Sequence, residues 1–119
     1  MKKTVVLGAS SNPLRYAYTA VQQLERNGHS VAAVGNKEGH IGEVAIQTGT
    51  PVIKEVDTIT LYLNPQRQKD YYDYIFSLSP KRIIFNPGTE NPELVQLAHQ
   101  KGIETEIACT LVLLSIGAY

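Results

Sequence analysis

A glycine, two serines and an arginine spaced along a strand–loop–helix can grip a phosphate. The stretch VVLGASSNPLRYAY, residues 5–18, holds that set as Gly8, Ser10, Ser11 and Arg15. Glycine lets the backbone approach an anion closely, and the serine hydroxyls donate hydrogen bonds. The first turn of a helix adds free N–H groups and the positive end of its dipole. Arg15, one turn into the expected helix, brings a charged fork within reach of a phosphate oxygen. A plainer reading has Gly8 ending a strand and Arg15 as a solvated surface charge.

The same loop argues against NAD. A dinucleotide fingerprint is G-x-G-x-x-G, with an acid at the end of the second strand bonded to the ribose diol. Here the loop is GASSNP, so the second and third glycines are missing, and the second strand runs into AVGNKEGH. The first charge after that strand is Lys37, which suits an extra phosphate on the ribose. NADP carries one at the 2′ position and coenzyme A at the 3′ position. A solvated loop charge is the other reading of Lys37.

Other reactive side chains are few. Cys109 stands where a helix follows the last expected strand, and a helix N-terminus can lower a thiol's pKa. No partner base is evident beside it, and a lone cysteine also serves as a small buried apolar residue. His29 follows a helix-ending glycine and suits a C-terminal cap contact. His40 lies in a glycine-rich connection and His99 inside an expected helix. No His/Cys spacing resembles a zinc site, so neither a metal nor a catalytic residue is assigned. Glu90 and Glu93 flank Asn91-Pro92, where acids favour a helix start. DYYDYIF (70–76) lacks basic neighbours and suits half-buried packing or a subunit contact, not a nucleic-acid platform.

Composition bounds the setting. At 119 residues the chain suits one domain, 1–119, with a real core. Hydrophobic residues make up 43% and charged ones 18%, the balance of a folded globular protein. Eleven basic residues offset eleven acidic ones, which gives no general attraction to nucleic acid or an anionic membrane. The lone cysteine allows no internal disulfide and points to a reducing compartment. Lys2 and Lys3 precede an apolar run too short for a signal peptide, broken at Asn12-Pro13. No window approaches a membrane span. The expectation is a soluble cytoplasmic protein.

The elements that must position these residues follow from periodicity. TVVLG (4–8) is a short apolar run closed by glycine, a buried strand. Leu14, Ala17, Val21 and Leu24 recur at helical spacing, with Asn12 as N-cap, Pro13 at the first helical position and Gly28 after the end. SVAAV (30–34) is the next strand, completing a parallel crossover unit. TITLYL (58–63) and RIIF (82–85) are further strands. Asn64-Pro65 opens a helix to about Leu78. Asn91-Pro92 opens another, with Leu94, Leu97 and Ala98 inward and Gly102 at its close. IETEI (103–107) reads as an edge strand, and CTLVLLSIGAY as a terminal apolar helix. Residues 35–57 are expected to form a long connection with one short edge strand, Glu43–Gln47. The alternation predicts an α/β fold, a three-layer Rossmann-like sandwich with a mainly parallel five- or six-stranded sheet.

Four of the six prolines follow asparagine: Asn12-Pro13, Asn64-Pro65, Asn86-Pro87 and Asn91-Pro92. Capping and turn chemistry explains each alone. The first three also lie just past the carboxyl ends of expected strands, where open parallel sheets bind ligands as strand order reverses. The reversal is expected between strands 4–8 and 58–63.

The segments GASSNPLRYAY, GNKEGHIG, VDTITLYLNP and NPGTENPELVQLAHQKGIE, followed by ACTLVLL, make the chain resemble a known family. It looks like the small single-domain CoA-binding proteins of bacteria, a family similar to the CoA-binding domain of succinyl-CoA synthetase. The resemblance covers nearly the whole chain with motifs in one order. It implies that Gly8, Ala9, Ser10, Asn12 and Pro13 meet the CoA pyrophosphate, with Arg15 or Tyr16 beside them. Gly35, Asn36 and Lys37 would meet the adenosine end. Leu63, Asn64 and Pro65 would lie along the middle of the cofactor, and Asn86, Pro87 and Gly88 along the pantetheine path. The family also has a cysteine at the position of Cys109, so a mixed disulfide with CoA is the reactive alternative there. Many relatives have tryptophan and glutamine in the stretch that is IFNPGTEN here. The phosphohistidine of succinyl-CoA synthetase sits in a second domain and is not carried over.

Three readings stand. The first is a protein that binds coenzyme A or an acyl-CoA without catalysis of its own. The second is an NADP-binding oxidoreductase or redox sensor. The third is a ligand-free interaction module, with the apolar tail serving a homodimer or packing as a core helix.

Overall fold

The computed structural model describes residues 2–119. Seven strands form one sheet: β1 (Thr4–Leu7), β2 (Val31–Val34), β3 (Gly39–Ile41), β4 (Val44–Gln47), β5 (Thr58–Leu61), β6 (Arg82–Phe85) and β7 (Glu104–Ile107). Their order is β3-β4-β2-β1-β5-β6-β7. Every pairing is parallel except β3 with β4. The chain steps outward from β1 to β2 and β4, then returns to add β5 on the other side. The switch point therefore lies between β1 and β5, where it was expected.

Side chains alternate across each strand. Val5 and Leu7 face a core with Ile59, Leu61, Ile83 and Phe85, covered by α3 (Tyr72–Ser77) and α4 (Pro92–Gln100). Val6 faces the opposite core with Ala33 and Ile46, covered by α1 (Tyr16–Arg26) and α5 (Thr110–Ser115). The result is the three-layer Rossmann-like sandwich, with helices on both faces. On α1 the inward stripe is Ala17, Ala20, Val21 and Leu24, at positions i, i+3, i+4 and i+7. Burying Leu24 fully contributes roughly 1.5–3 kcal/mol.

Residues 35–57 depart from the sequence reading. They form a hairpin, in which Gly39–Ile41 pairs with Val44–Gln47 in antiparallel register. The sheet consequently has seven strands, and the edge on this side is β3, with β4 one place inside it. Three residues between exposed polar neighbours carry too little alternation to register as a strand. Pairing to β4 supplies what propensity does not.

The Asn-Pro steps divide into two kinds. Asn64 caps α2 (Pro65–Gln68), accepting from the Arg67 amide at 2.9 Å. Asn91 caps α4, accepting from the Leu94 amide at 3.1 Å. Asn12 does not cap α1. Its Oδ1 accepts from Leu14 N–H and its carbonyl from Arg15 N–H, each at 3.0 Å. That local bonding competes with helix, so the chain turns and α1 starts at Tyr16. Leu14, expected inward, is left 91% exposed. The segment from Pro65 to Leu78 is also broken: a 3₁₀ turn, Lys69–Tyr71, separates α2 from α3. Leu97 is only half-buried. On α5, Leu114 packs inward while Val112 faces solvent. No described helix is long and apolar enough to cross a membrane.

Candidate functional site

The carboxyl ends of β2, β1, β5 and β6 frame a cleft of about 460 Å³. Its first wall is the β1–α1 loop, with Gly8, Ala9, Ser10, Arg15 and Tyr16. Gly8 has φ +97°, and a Cβ there would stand 2.9 Å from the Tyr62 carbonyl carbon. Gly35 and Asn36, after β2, close one end. A Cβ on Gly35 would stand 2.3 Å from the Ala9 carbonyl oxygen. Both loops are further tied by Val34, whose carbonyl accepts from Gly8 N–H at 2.8 Å and from Ala9 N–H at 2.9 Å. Glycine at these two positions is what lets the loops close on each other.

The far wall comes from β5 and β6: Leu63 and Asn64, then Pro87 and Gly88. Asn86 to Thr89 form a tight turn, closed by Thr89 N–H to the Asn86 carbonyl at 2.9 Å. Proline at its second position and Gly88 at φ +90° at its third suit a type II turn. Gln68 lies behind it, fully buried. Its Nε2 donates to the Leu63 carbonyl at 2.7 Å and the Thr89 carbonyl at 2.8 Å. Its Oε1 accepts from Asn91 Nδ2 at 2.9 Å. All three bonds hold the two loops and α4 in one rigid floor.

Of the residues picked from sequence, seven do not line the cleft: Ser11, Asn12, Pro13, Lys37, Pro65, Asn86 and Cys109. Asn12 and Pro13 form the turn that delivers Arg15. Lys37 is exposed and adjoins the lining residue Asn36. Pro65 opens α2. Asn86 is buried beneath its loop. Cys109 is half-buried at the start of α5, and Tyr62 is the lining residue near it. The Tyr62 hydroxyl is buried without a hydrogen-bond partner among the described residues. Burial pushes its pKa well above the usual tyrosine range. His40, on β3, also lies outside the cleft.

Five lining residues escaped the sequence reading: Ala17, Tyr62, Arg67, Tyr71 and Thr89. Arg67 was the most accessible to foresight, because it sits three residues after the Asn64 cap. Arg15 and Arg67 are the charged lining residues, and no carboxylate joins them. Neither arginine forms an ion pair among the described residues. In a chain of zero formal net charge, this is a concentrated positive spot.

A larger depression of about 1000 Å³ lies at the amino edge of the sheet. There Lys2, Lys81 and Lys101 are interspersed with Asp57, Glu104 and Glu106. Arg82 is engaged by Thr58 Oγ1 at 3.0 Å, Glu106 at 2.9 Å and the Tyr119 carbonyl at 3.0 Å. With charges of both signs, this face lacks the bias of the cleft.

The sequence pattern of the CoA binding domain family matches residues 2–115. The chain belongs to that family. No curated protein matches it. Among solved structures, the CoA-binding domain is 52% identical to an uncharacterized protein, with a TM-score of 0.97 and coverage of 100% of this chain and 98% of the other. A hypothetical protein from Pyrococcus horikoshii OT3 shares the fold at 23% identity and a TM-score of 0.82, over 93% and 80% of the two chains. An acetyl-coenzyme A synthetase of Ca. Korarchaeum cryptofilum, solved with phosphate and ADP, shares it at 18% identity and a TM-score of 0.68. That match covers 87% of this CoA-binding domain and 25% of the synthetase. The cleft's chemistry fits the cofactor of the family: two arginines without carboxylates suit a diphosphate, and glycines allow close approach.

Proposed function

We propose that this protein binds coenzyme A or an acyl-CoA in the cleft at the carboxyl edge of the sheet, without catalysis of its own. The observation that carries the reading is the charge of the lining: two unpaired arginines and no acid. The diphosphate would rest on Gly8, Ala9 and Ser10, with Arg15 and Tyr16 beside it. Gly35 and Asn36 would meet the adenosine end, with Lys37 just outside to attract the 3′-phosphate. Leu63, Asn64, Pro87 and Gly88 would follow the pantetheine arm, with Pro65 and Asn86 fixing those loops. The thiol end would run toward Tyr62, the lining residue near Cys109.

NADP is the competing ligand, and the test is a thermal-shift series with CoA, acetyl-CoA, NADP and NAD. A ligand specific to the native state stabilises it by mass action, by about 2.7 kcal/mol at a hundredfold excess over Kd. CoA is expected to raise the melting temperature by several degrees, and NAD to leave it unchanged. A shift with NADP and none with CoA overturns the reading. No shift with any of them favours an interaction module.

A further inference from the structure

We propose that Arg67 is a ligand-binding residue, which grips the diphosphate from the wall opposite Arg15. The inference rests on the CoA reading of the cleft and adds a contact that the glycine–serine loop does not provide.

Three observations single out Arg67 from ordinary surface arginines. Its backbone is fixed: the amide donates to Asn64 Oδ1 at 2.9 Å and to the Asn64 carbonyl at 3.1 Å. The next residue, Gln68, is fully buried and bonded at both ends of its amide. The stem of Arg67 therefore starts from a rigid point on the cleft wall.

Arg67, on α2, and Tyr71, at the end of the 3₁₀ turn that follows, both line the cleft. Asp70 and Asp73, the acids that follow on the same segment, line a separate groove with Pro51 and Leu78. Arg67 therefore lines the cleft while its neighbouring acids line another groove, and no ion pair among the described residues neutralises it.

Its position matches the group to be held. Arg15 follows β1 and Arg67 follows β5, the two strands that flank the switch point. Adjacent strands lie about 4.8 Å apart, so two arginine side chains rooted beyond them can meet one diphosphate. Two guanidiniums on opposite walls match its two negative charges. Each can offer parallel N–H donors, which a lysine cannot.

The test is a double-mutant cycle with Arg15→Ala and Arg67→Ala, titrated with CoA and dephospho-CoA. Arg67 is exposed, so ligand-free Arg67→Ala is expected to melt with the wild type. Its affinity is expected to fall about tenfold for both ligands, with Arg67→Lys in between. The combined variant is expected to depart from additivity, because both residues hold one group. If Arg67→Ala binds CoA within twofold of wild type, the inference fails and the CoA reading stands. If only CoA affinity falls and dephospho-CoA affinity does not, Arg67 reads the 3′-phosphate and the diphosphate assignment is overturned. A wild-type protein that binds no CoA overturns the cofactor reading itself, and this placement with it.

Discussion

Asn86 Oδ1 accepts a hydrogen bond from the Thr110 amide at 2.8 Å, joining the end of β6 to the first turn of α5. The same side chain donates through Nδ2 to Thr60 Oγ1 at 2.6 Å and to the Leu61 carbonyl at 2.8 Å. One buried amide thus ties two strands and a helix directly beneath the cleft.

Asn86→Leu removes all three bonds and leaves buried polar groups without partners. Each such group costs about 1–3 kcal/mol. The variant is expected to lose about 2–4 kcal/mol in urea unfolding, with an unchanged m-value. A loss below about 0.5 kcal/mol contradicts the role given to this network.

Gly35→Ala tests the interlock of the two loops. Its methyl group would fall 2.3 Å from the Ala9 carbonyl oxygen, so the β1–α1 loop must move. Overpacking of this kind costs about 1–3 kcal/mol. The expected outcome is a lower urea midpoint together with CoA binding weakened at least tenfold. Unimpaired CoA affinity would show that loop closure is not part of the site.

Lys37 is exposed beside the cleft, so its contribution is electrostatic and screened. Lys37→Ala is expected to weaken CoA about two- to fivefold at low salt and to leave dephospho-CoA unchanged. Equal losses for the two ligands mean that the lysine does not read the 3′-phosphate.

His29 gives the protein an acid sensitivity. Its Nδ1 accepts from the Lys2 amide at 2.9 Å, which requires that nitrogen to be unprotonated. Burial, then the charges of Lys2 and Arg82, hold its pKa below the ordinary 6.5. As pH falls past 6.5 the unfolded chain takes up a proton that folded His29 still refuses, so stability falls. The loss continues until the pH passes the folded-state value. His29→Gln is expected to flatten the fall in urea midpoint between pH 7.5 and 5.5. Identical pH profiles for the two proteins would sink this assignment.

The sequence by itself determined what short-range chemistry decides. The apolar runs at residues 4–7, 58–61 and 82–85 mark strands buried on both faces, because a parallel sheet covered by helices leaves no polar side. Asn64 and Asn91 cap helices because their partners lie three residues away. Gly8, Ser10 and Arg15 could be grouped from one loop. Tertiary structure alone decided the rest. Asn12 and Asn64 begin the same dipeptide, yet one makes a turn and the other a cap, according to where the following chain must pack. Asn86 finds partners 24 to 26 residues away, beyond the reach of local pattern. Arg67 and Tyr71 face the cleft only because β5 was laid against β1. Strand order is set by long-range burial, and it turned a short polar helix into the second wall of the site.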